Sequence, residues 1–371
     1  MRILVTGGAG FVGSHLVDAL LARGHAVRVL DSLEPQVHGP GRRRPNHLNP
    51  AAELCVGDVR ERGAVRAALA GVEAVFHQAA AVGVAQSMYE IERYVSANTL
   101  GAAVLLEELV ERRARLRRVV VASSMSLYGE GAYRDADGAP AYPPLRPTRQ
   151  LEDRRWEPED ARGRPLRPAP TPESKPLAPT SIYAITKRDH EEMFLAVGAA
   201  YGIPTVALRY FNVYGTRQAL SNPYTGVMAI FSARLLNGRA PVLFEDGLQS
   251  RDFVHVSDVV AANLLALERD AAPGRAFNVG TGRATTVAAV AAGLARALGA
   301  RVEPEVTGRF RAGDVRHCAA DVTAIARALG FEPRVGLEEG MRDLLVWLRN
   351  QAPVDRIDQA REELESRGLA R

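Results

Sequence analysis

An α/β fold, a doubly wound parallel sheet with a smaller mixed lobe towards the C-terminus, is the class this 371-residue sequence predicts. Three observations carry it. Short apolar runs alternate with helical patterns, which is how βαβ units and a parallel sheet are written in sequence. The first run, in "ILVTGGAGFVGSHL", passes from a strand through closely spaced glycines into a helix. Beyond about residue 215 the alternation loosens, from "NPYTGVMAIF" to "LEEGMRDLLVWLR", and a second lobe begins.

Taken in order, a strand at 2–6 feeds those glycines and a helix at 12–23. A strand at 26–30 ends in Asp31. A strand at 52–56 leads into "GDVR" and a helix at 61–70. A strand at 73–77 leads into "HQAA" and a helix at 92–114. A strand at 118–123 ends in the serines of "VVVASSMSLYG". A helix at 181–201 carries "SIYAITKRDHEEMF" and precedes a strand at 204–210. A strand at 275–279 is a candidate to return to the first sheet. The chain then divides into a dinucleotide-binding domain at 1–215, a substrate lobe at 216–350 and a charged tail at 351–371, "VDRIDQAREELESRGLAR" at its core, expected as a solvated helix. Residues 130–180 break the rhythm. They hold 11 of the 22 prolines and eight arginines, and a structureless stretch that long is unusual within a domain.

Composition narrows the function classes. Hydrophobic content of 47% and charged content of 24% are those of a globular protein with an ample core. The net charge is only +4 and the arginines are scattered, so a nucleic-acid partner is not expected. No apolar run approaches membrane-spanning length, so no membrane partner is expected either. Cys55 and Cys318 lie far apart, with no CxxC pair. Neither a disulfide framework nor a metal site is expected, which fits a reducing cytoplasm.

Gly7, Gly10 and Gly13 stand where the first strand ends and its helix begins. Glycines there allow a tight turn, close approach of the backbone to a pyrophosphate, and tight packing of helix on sheet. The helix N-terminus adds N–H groups and a positive dipole end. With a second strand closing on Asp31, this is the pattern of a Rossmann dinucleotide site. A carboxylate at that point accepts hydrogen bonds from a ribose diol and repels a 2′-phosphate, so NAD is expected over NADP. Asp58 closes the third strand, beside the adenine or as a helix cap.

Of the 47 lysines and arginines only Lys175 and Lys187 are lysine. Tyr183 and Lys187 are spaced i and i+4, so they share a helix face. A phenol titrates near pKa ~10, and a neighbouring ammonium would lower that value towards useful basicity. A compact ammonium can also bond two ribose hydroxyls, which the flat fork of arginine does less well. Ser123, Ser124 and Ser126 offer a hydroxyl at a strand end to share the proton of a substrate alcohol.

With "NTLGAAVLLE", "PTSIYAITK", "LRYFNVYG", "SRDFVHVSD", "FNVGTG" and "RAGDV" in the same order, the chain resembles the extended short-chain dehydrogenase/reductase superfamily, in its nucleotide-sugar epimerase/dehydratase branch. Its nearest likeness is to 4-epimerases of dTDP-sugars such as dTDP-L-rhamnose, with the UDP-glucose type close behind. The resemblance covers about residues 1–345 apart from the insert. It implies that Ser124 and Tyr183 act on a substrate hydroxyl and that Lys187 holds the nicotinamide ribose. Phe11, Val12, Val59, Ala79, Ala80 and Asn98 would join the glycines, Asp31 and Asp58 around NAD. Ser126 would touch the sugar, and Asn212, Arg251, Arg311 and Asp314 would hold the nucleotide. Cys318 falls where some hexose epimerases narrow the sugar pocket with tyrosine. The alternative for it is an ordinary buried cysteine. A homodimer is also implied, pairing the helices 92–114 and 181–201 across a two-fold axis.

Departures from the family pattern select the reaction. Sugar 4,6-dehydratases carry Thr-Asp-Glu where this chain has Ser124, Met125 and Ser126, and loss of water needs that acid/base pair. Decarboxylases usually have Glu at the position of Ser126. What remains is oxidation at C4 to a 4-keto sugar and re-reduction on its other face. A 4-keto-sugar reductase and a non-catalytic dinucleotide sensor stand as the alternatives. The turns "YRDADGAPAYP" and "RRWEPEDARGRPLRP" in the insert match one another like a ribbon without zinc cysteines. A lid over the sugar, a subunit contact and a tolerated insertion are the readings open for it.

Overall fold

The computed structural model describes residues 1–311 and 313–370. Ala312 of "RAGDV" and Arg371 of the tail lie outside the described residues. Seven strands form the central sheet: β1 (Arg2–Thr6), β2 (Ala26–Asp31), β3 (Glu53–Val56), β4 (Ala74–His77), β5 (Arg118–Ser124), β6 (Thr205–Tyr210) and β7 (Arg275–Val279). All pair in parallel, in the spatial order 7-6-5-4-1-2-3. The strands are apolar runs because helices cover both faces. Every residue of β5 is buried, and Ile3, Leu4 and Val5 are fully so. Strand β7 does return to this sheet, beside β6.

The strand order reverses between β4 and β1. In open α/β sheets ligands bind outside the carboxyl ends of the strands at such a point. The glycine turn, Asp31, Asp58, residues 78–81 and the serines after β5 all project from those ends.

The second lobe is interleaved with the first. Its mixed sheet joins Asn212–Tyr214, Ser250–His255, His317–Ala320, Arg167–Thr171, Ala132–Arg134 and Pro140–Ala141. Phe231, Leu235, Phe253, Leu294, Met341 and Leu344 form the core beside it. Val259, Leu264, Ile325 and Phe331 instead pack with Leu16, Val17 and Leu20 under the central sheet, so segment 216–350 serves both lobes.

Three elements differ from the sequence expectation. The helix expected at 92–114 runs from Ile91 to Val110 and widens to a π-helical stretch at Val95–Leu100. The insert is ordered, because its strands Ala132–Arg134 and Arg167–Thr171 extend the mixed sheet. Its two turns do match: Asp135 Oδ1 accepts from the N–H groups of Asp137 and Ala139, and Asp160 Oδ1 from those of Arg162 and Arg164. The tail forms a helix at Ile357–Ser366, but it is not simply a solvated end. Ala360 and Leu364 are buried against the rest of the chain.

Candidate active site

One cavity of about 740 Å³ runs between the lobes. Of the residues singled out in the sequence, all but Asn98 and Cys318 line it.

Gly7, Gly10, Phe11, Val12 and Gly13 form the turn at the dinucleotide end. Gly7 has φ +68°, and a Cβ there would meet the Ala79 backbone N at 2.7 Å. A Cβ on Gly13 would collide with the Gly7 carbonyl oxygen. A side chain at either position would collide with neighbouring backbone, so glycine is what lets the turn and its helix pack tightly on the sheet. Asp31 Oδ2 accepts from Ala9 N at 3.0 Å and Oδ1 from Leu33 N at 2.9 Å, which fixes the carboxylate at the rim. Asp58 is held by Arg60 at 2.6 Å. Burial pushes its carboxyl up, but the Arg60 guanidinium outweighs that and keeps it below the usual range. Arg60 also lines the cavity, and no sequence signal separates it from the other arginines. Val59, Ala79 and Ala80 complete this wall. The donor set and the side-chain-free cradle fit NAD.

Asn98 does not line the cavity; it supports the cofactor-side structure from behind the lining. It is fully buried in the π-helical stretch. Its side chain bonds Ala81 N at 2.7 Å, Ala81 O at 3.1 Å and Thr186 Oγ1 at 2.9 Å. It therefore ties the 79–81 loop to the helix Ile182–Tyr201, one turn from Tyr183 and beside Lys187. The extra backbone room of the π turn is what lets it do so.

Ser124, Tyr183 and Lys187 converge on the middle of the cavity. Ser181 caps the helix by accepting from Ala184 N, and Ser87 Oγ accepts from Tyr183 N at 3.0 Å. Ser123 is taken up by Glu191 at 2.7 Å, which leaves Ser124 as the hydroxyl of the pair turned towards Tyr183. Ser126 lines the cavity and donates to Ser124 Oγ through its N–H at 3.1 Å and its hydroxyl at 2.9 Å.

The electrostatics correct one expectation. Burial pushes the Tyr183 phenol up to about 12, with Ser124 pulling the other way. Burial also lowers Lys187 to about 7, and its ammonium donates to the Ala122 carbonyl at 2.9 Å. Lys187 is thus turned to the backbone and only partly charged near neutrality, so it does not by itself depress the phenol.

The far end carries guanidinium groups from separate segments. Arg251 and Arg311 flank Asp314 at 3.4 and 2.7 Å. Burial raises the Asp314 carboxyl, but the two cations outweigh it and hold it below its ordinary value. Arg311 lies 4.6 Å over the Phe244 ring. Asn212 lines the same cavity, and its Oδ1 is buried with no hydrogen bond among the described residues.

Cys318 is 2% exposed, its thiol 3.7 Å from Thr171 Oγ1. It packs with Leu127, Tyr128 and Phe211 rather than lining the cavity, so the buried-cysteine reading holds. Of insert 130–180 only the last residue, Thr180, is part of the lining, which does not favour the lid reading. The insert instead braces "RAGDVRH" from behind. Arg146 donates to Glu245 at 2.8 Å and to the Asp314 carbonyl at 3.2 Å. Glu157 accepts from Arg316 at 2.7 Å and pairs with His317 at 2.9 Å. Sequence reading also missed the tail: Ile357, Ala360, Arg361, Leu364 and Leu369 line the cavity. Apolar residues at 357, 360 and 364 share one helix face, and that spacing was the available signal.

Comparisons with known proteins agree with this geometry. Residues 3–150 and 161–280 match the model of the NAD dependent epimerase/dehydratase family, and the break falls inside the insert. The chain is 38% identical over 352 residues to the dTDP-L-rhamnose 4-epimerase of Burkholderia thailandensis, covering 94% of this chain and 95% of the relative. The Thermotoga maritima UDP-glucose 4-epimerase, solved with UDP-glucose, superposes with a TM-score of 0.76 at 34% identity, over 94% of this chain and 99% of that one. The Thermus thermophilus UDP-glucose 4-epimerase, solved with NAD, gives 0.74 at 32%, over 95% and 100%. On its motifs, its fold and these matches, the chain belongs to the NAD-dependent epimerase/dehydratase family.

Proposed function

We propose that the protein is an NAD-dependent nucleotide-sugar 4-epimerase acting on a dTDP- or UDP-linked hexose or 6-deoxyhexose. The observation that carries this reading is the layout of one cavity. Ser124, Tyr183 and Lys187 meet at its middle, between a glycine cradle and a cluster of arginines. Relatives of this chain are 4-epimerases of dTDP-L-rhamnose and of UDP-glucose, which supports the reaction and leaves the base open.

NAD, when bound, would accept the C4 hydride and return it. The chain supplies the rest. Tyr183 Oη takes the C4 hydroxyl proton and gives it back, and Ser124 Oγ hydrogen-bonds the same oxygen. Lys187, held by the Ala122 carbonyl, positions the ribose. Arg251 and Arg311 clamp the diphosphate bidentately while the sugar, held weakly by Ser126 and Asn212, turns over. No carboxylate stands at 125 or 126 to eliminate water, so the 4-keto sugar is re-reduced rather than dehydrated.

Incubation with dTDP- and UDP-sugars in D₂O, followed by NMR, tests this. A new C4 epimer without deuterium uptake is expected, with no cofactor added. Deuterium at C3 or C5 would rule the mechanism out.

The protein is further proposed to act in the cytoplasm as a homodimer. Among the described residues no helix is long and apolar enough to cross a membrane, and both cysteines are free. Ile91, Val95, Leu100 and Ile185 are exposed on two neighbouring helices, a surface suited to a second copy. A monomer by sedimentation that persists at high protein concentration would refute the dimer.

A further inference from the structure

The tail crosses the cavity from one lobe to the other. On the substrate lobe, Asn237 donates to the Pro353 carbonyl at 3.0 Å, and Ser221 Oγ accepts from Val354 N at 3.0 Å. Asp358 accepts from Arg234 at 2.9 Å and Arg239 at 2.6 Å. Glu365 pairs with Arg309, and Ala370 bridges to Arg311. On the dinucleotide side, the Arg367 guanidinium lies 4.4 Å over the ring of Tyr89. The Tyr89 hydroxyl in turn donates to that of Tyr224, a cavity residue, at 2.6 Å.

Two features turn this crossing into a binding wall. The face bearing Ile357, Leu364 and, beyond the helix, Leu369 is apolar and lines the cavity together with Val242 and Phe244. Arg361 lines it too. Its guanidinium is 3.8 Å from both Asp358 and Glu365, and it makes no hydrogen bond among the described residues. Arg234 holds Asp358 through its guanidinium and lines the cavity at once, and the Arg311 backbone bridges to Ala370, so the tail is fastened to two residues of the cavity wall.

We propose that residues 353–370 are a strap that closes the substrate end of the cavity, and that Arg361 is a further contact for the diphosphate of a nucleoside diphosphate. The proposal rests on the nucleotide-sugar reading above. Apolar side chains suit the face of a base, and an arginine without a strong partner suits phosphate oxygens.

Calorimetric titration with dTDP and UDP, which needs no turnover, tests it on three proteins: the full chain, a chain ending at residue 350, and Arg361→Ala. With the strap acting as inferred, the full chain binds one of the two nucleotides and the truncation weakens it by about tenfold or more. Arg361→Ala, which keeps the strap's anchors, weakens it by roughly threefold to tenfold and decides the matter if the truncation fails to fold. Full-chain binding with both variants within about twofold of it would overturn the strap and leave the epimerase reading intact. A full chain that binds neither nucleotide would overturn both.

Discussion

At the dinucleotide end of the cavity, Gly7, Asp31, Ala79 and Ser124 stand at the carboxyl ends of strands in one parallel sheet. Their work is done by backbone shape and by a few buried, weakly charged groups. At the substrate end, Arg234, Arg251, Arg311 and Arg361 come from four separated segments and point long charged side chains into the same space. The first end is preorganised by the sheet. The second depends on ion pairs with Asp314 and Asp358 and on the insert bracing the loop that carries Asp314. An epimerase must hold its cofactor in one pose and let a sugar rotate, so a rigid half facing an adjustable one suits the reaction.

The comparison predicts that the two ends fail differently. Tyr183→Phe is the largest expected effect, with kcat falling about 10²–10⁴-fold while bound NAD, read by absorbance, stays at wild-type level. Arg251→Ala and Arg311→Ala come next. Each is expected to raise KM about 10–100-fold, the loss of a charge-assisted hydrogen bond, with kcat within a few-fold of wild type. If either arginine variant lost kcat as severely as Tyr183→Phe, the division of labour between the ends would collapse.

The smallest effect is on stability, and it sharpens the picture of the middle of the cavity. Burial depresses Lys187 from 10.5 to about 7. Between those values the unfolded chain binds the extra proton, so stability rises with pH across that window, and the penalty is fully present below about 7. Lys187→Met is therefore expected to stabilise the cofactor-free protein by roughly 1–3 kcal/mol at neutral pH. Its melting temperature should be flatter against pH from about 7 to 10. A variant less stable than wild type at pH 7 would mean that Lys187 is charged and well paired in the folded protein.

Much of this molecule was legible without coordinates. Gly7 to Gly13, Asp31, and the Tyr183–Lys187 pair are local: their spacing on one turn or one helix is their geometry, and chemistry restricts the residue types. The central sheet was legible for the same reason, since short apolar runs such as 119–122 suit a strand covered on both faces. Four outcomes were decided by tertiary structure. Asn98 was drawn inward by a π turn to brace Ala81 and Thr186, and Cys318 was sealed behind Thr171. Insert 130–180 was recruited into the mixed sheet instead of over the sugar. The charged tail was folded back across the cavity, its carboxylates meeting arginines more than fifty residues away. Helix periodicity announced that residues 357, 360 and 364 share a face, but not what that face would cover. Long-range ion pairs leave no spacing in the sequence, so their partners are settled only when the lobes come together.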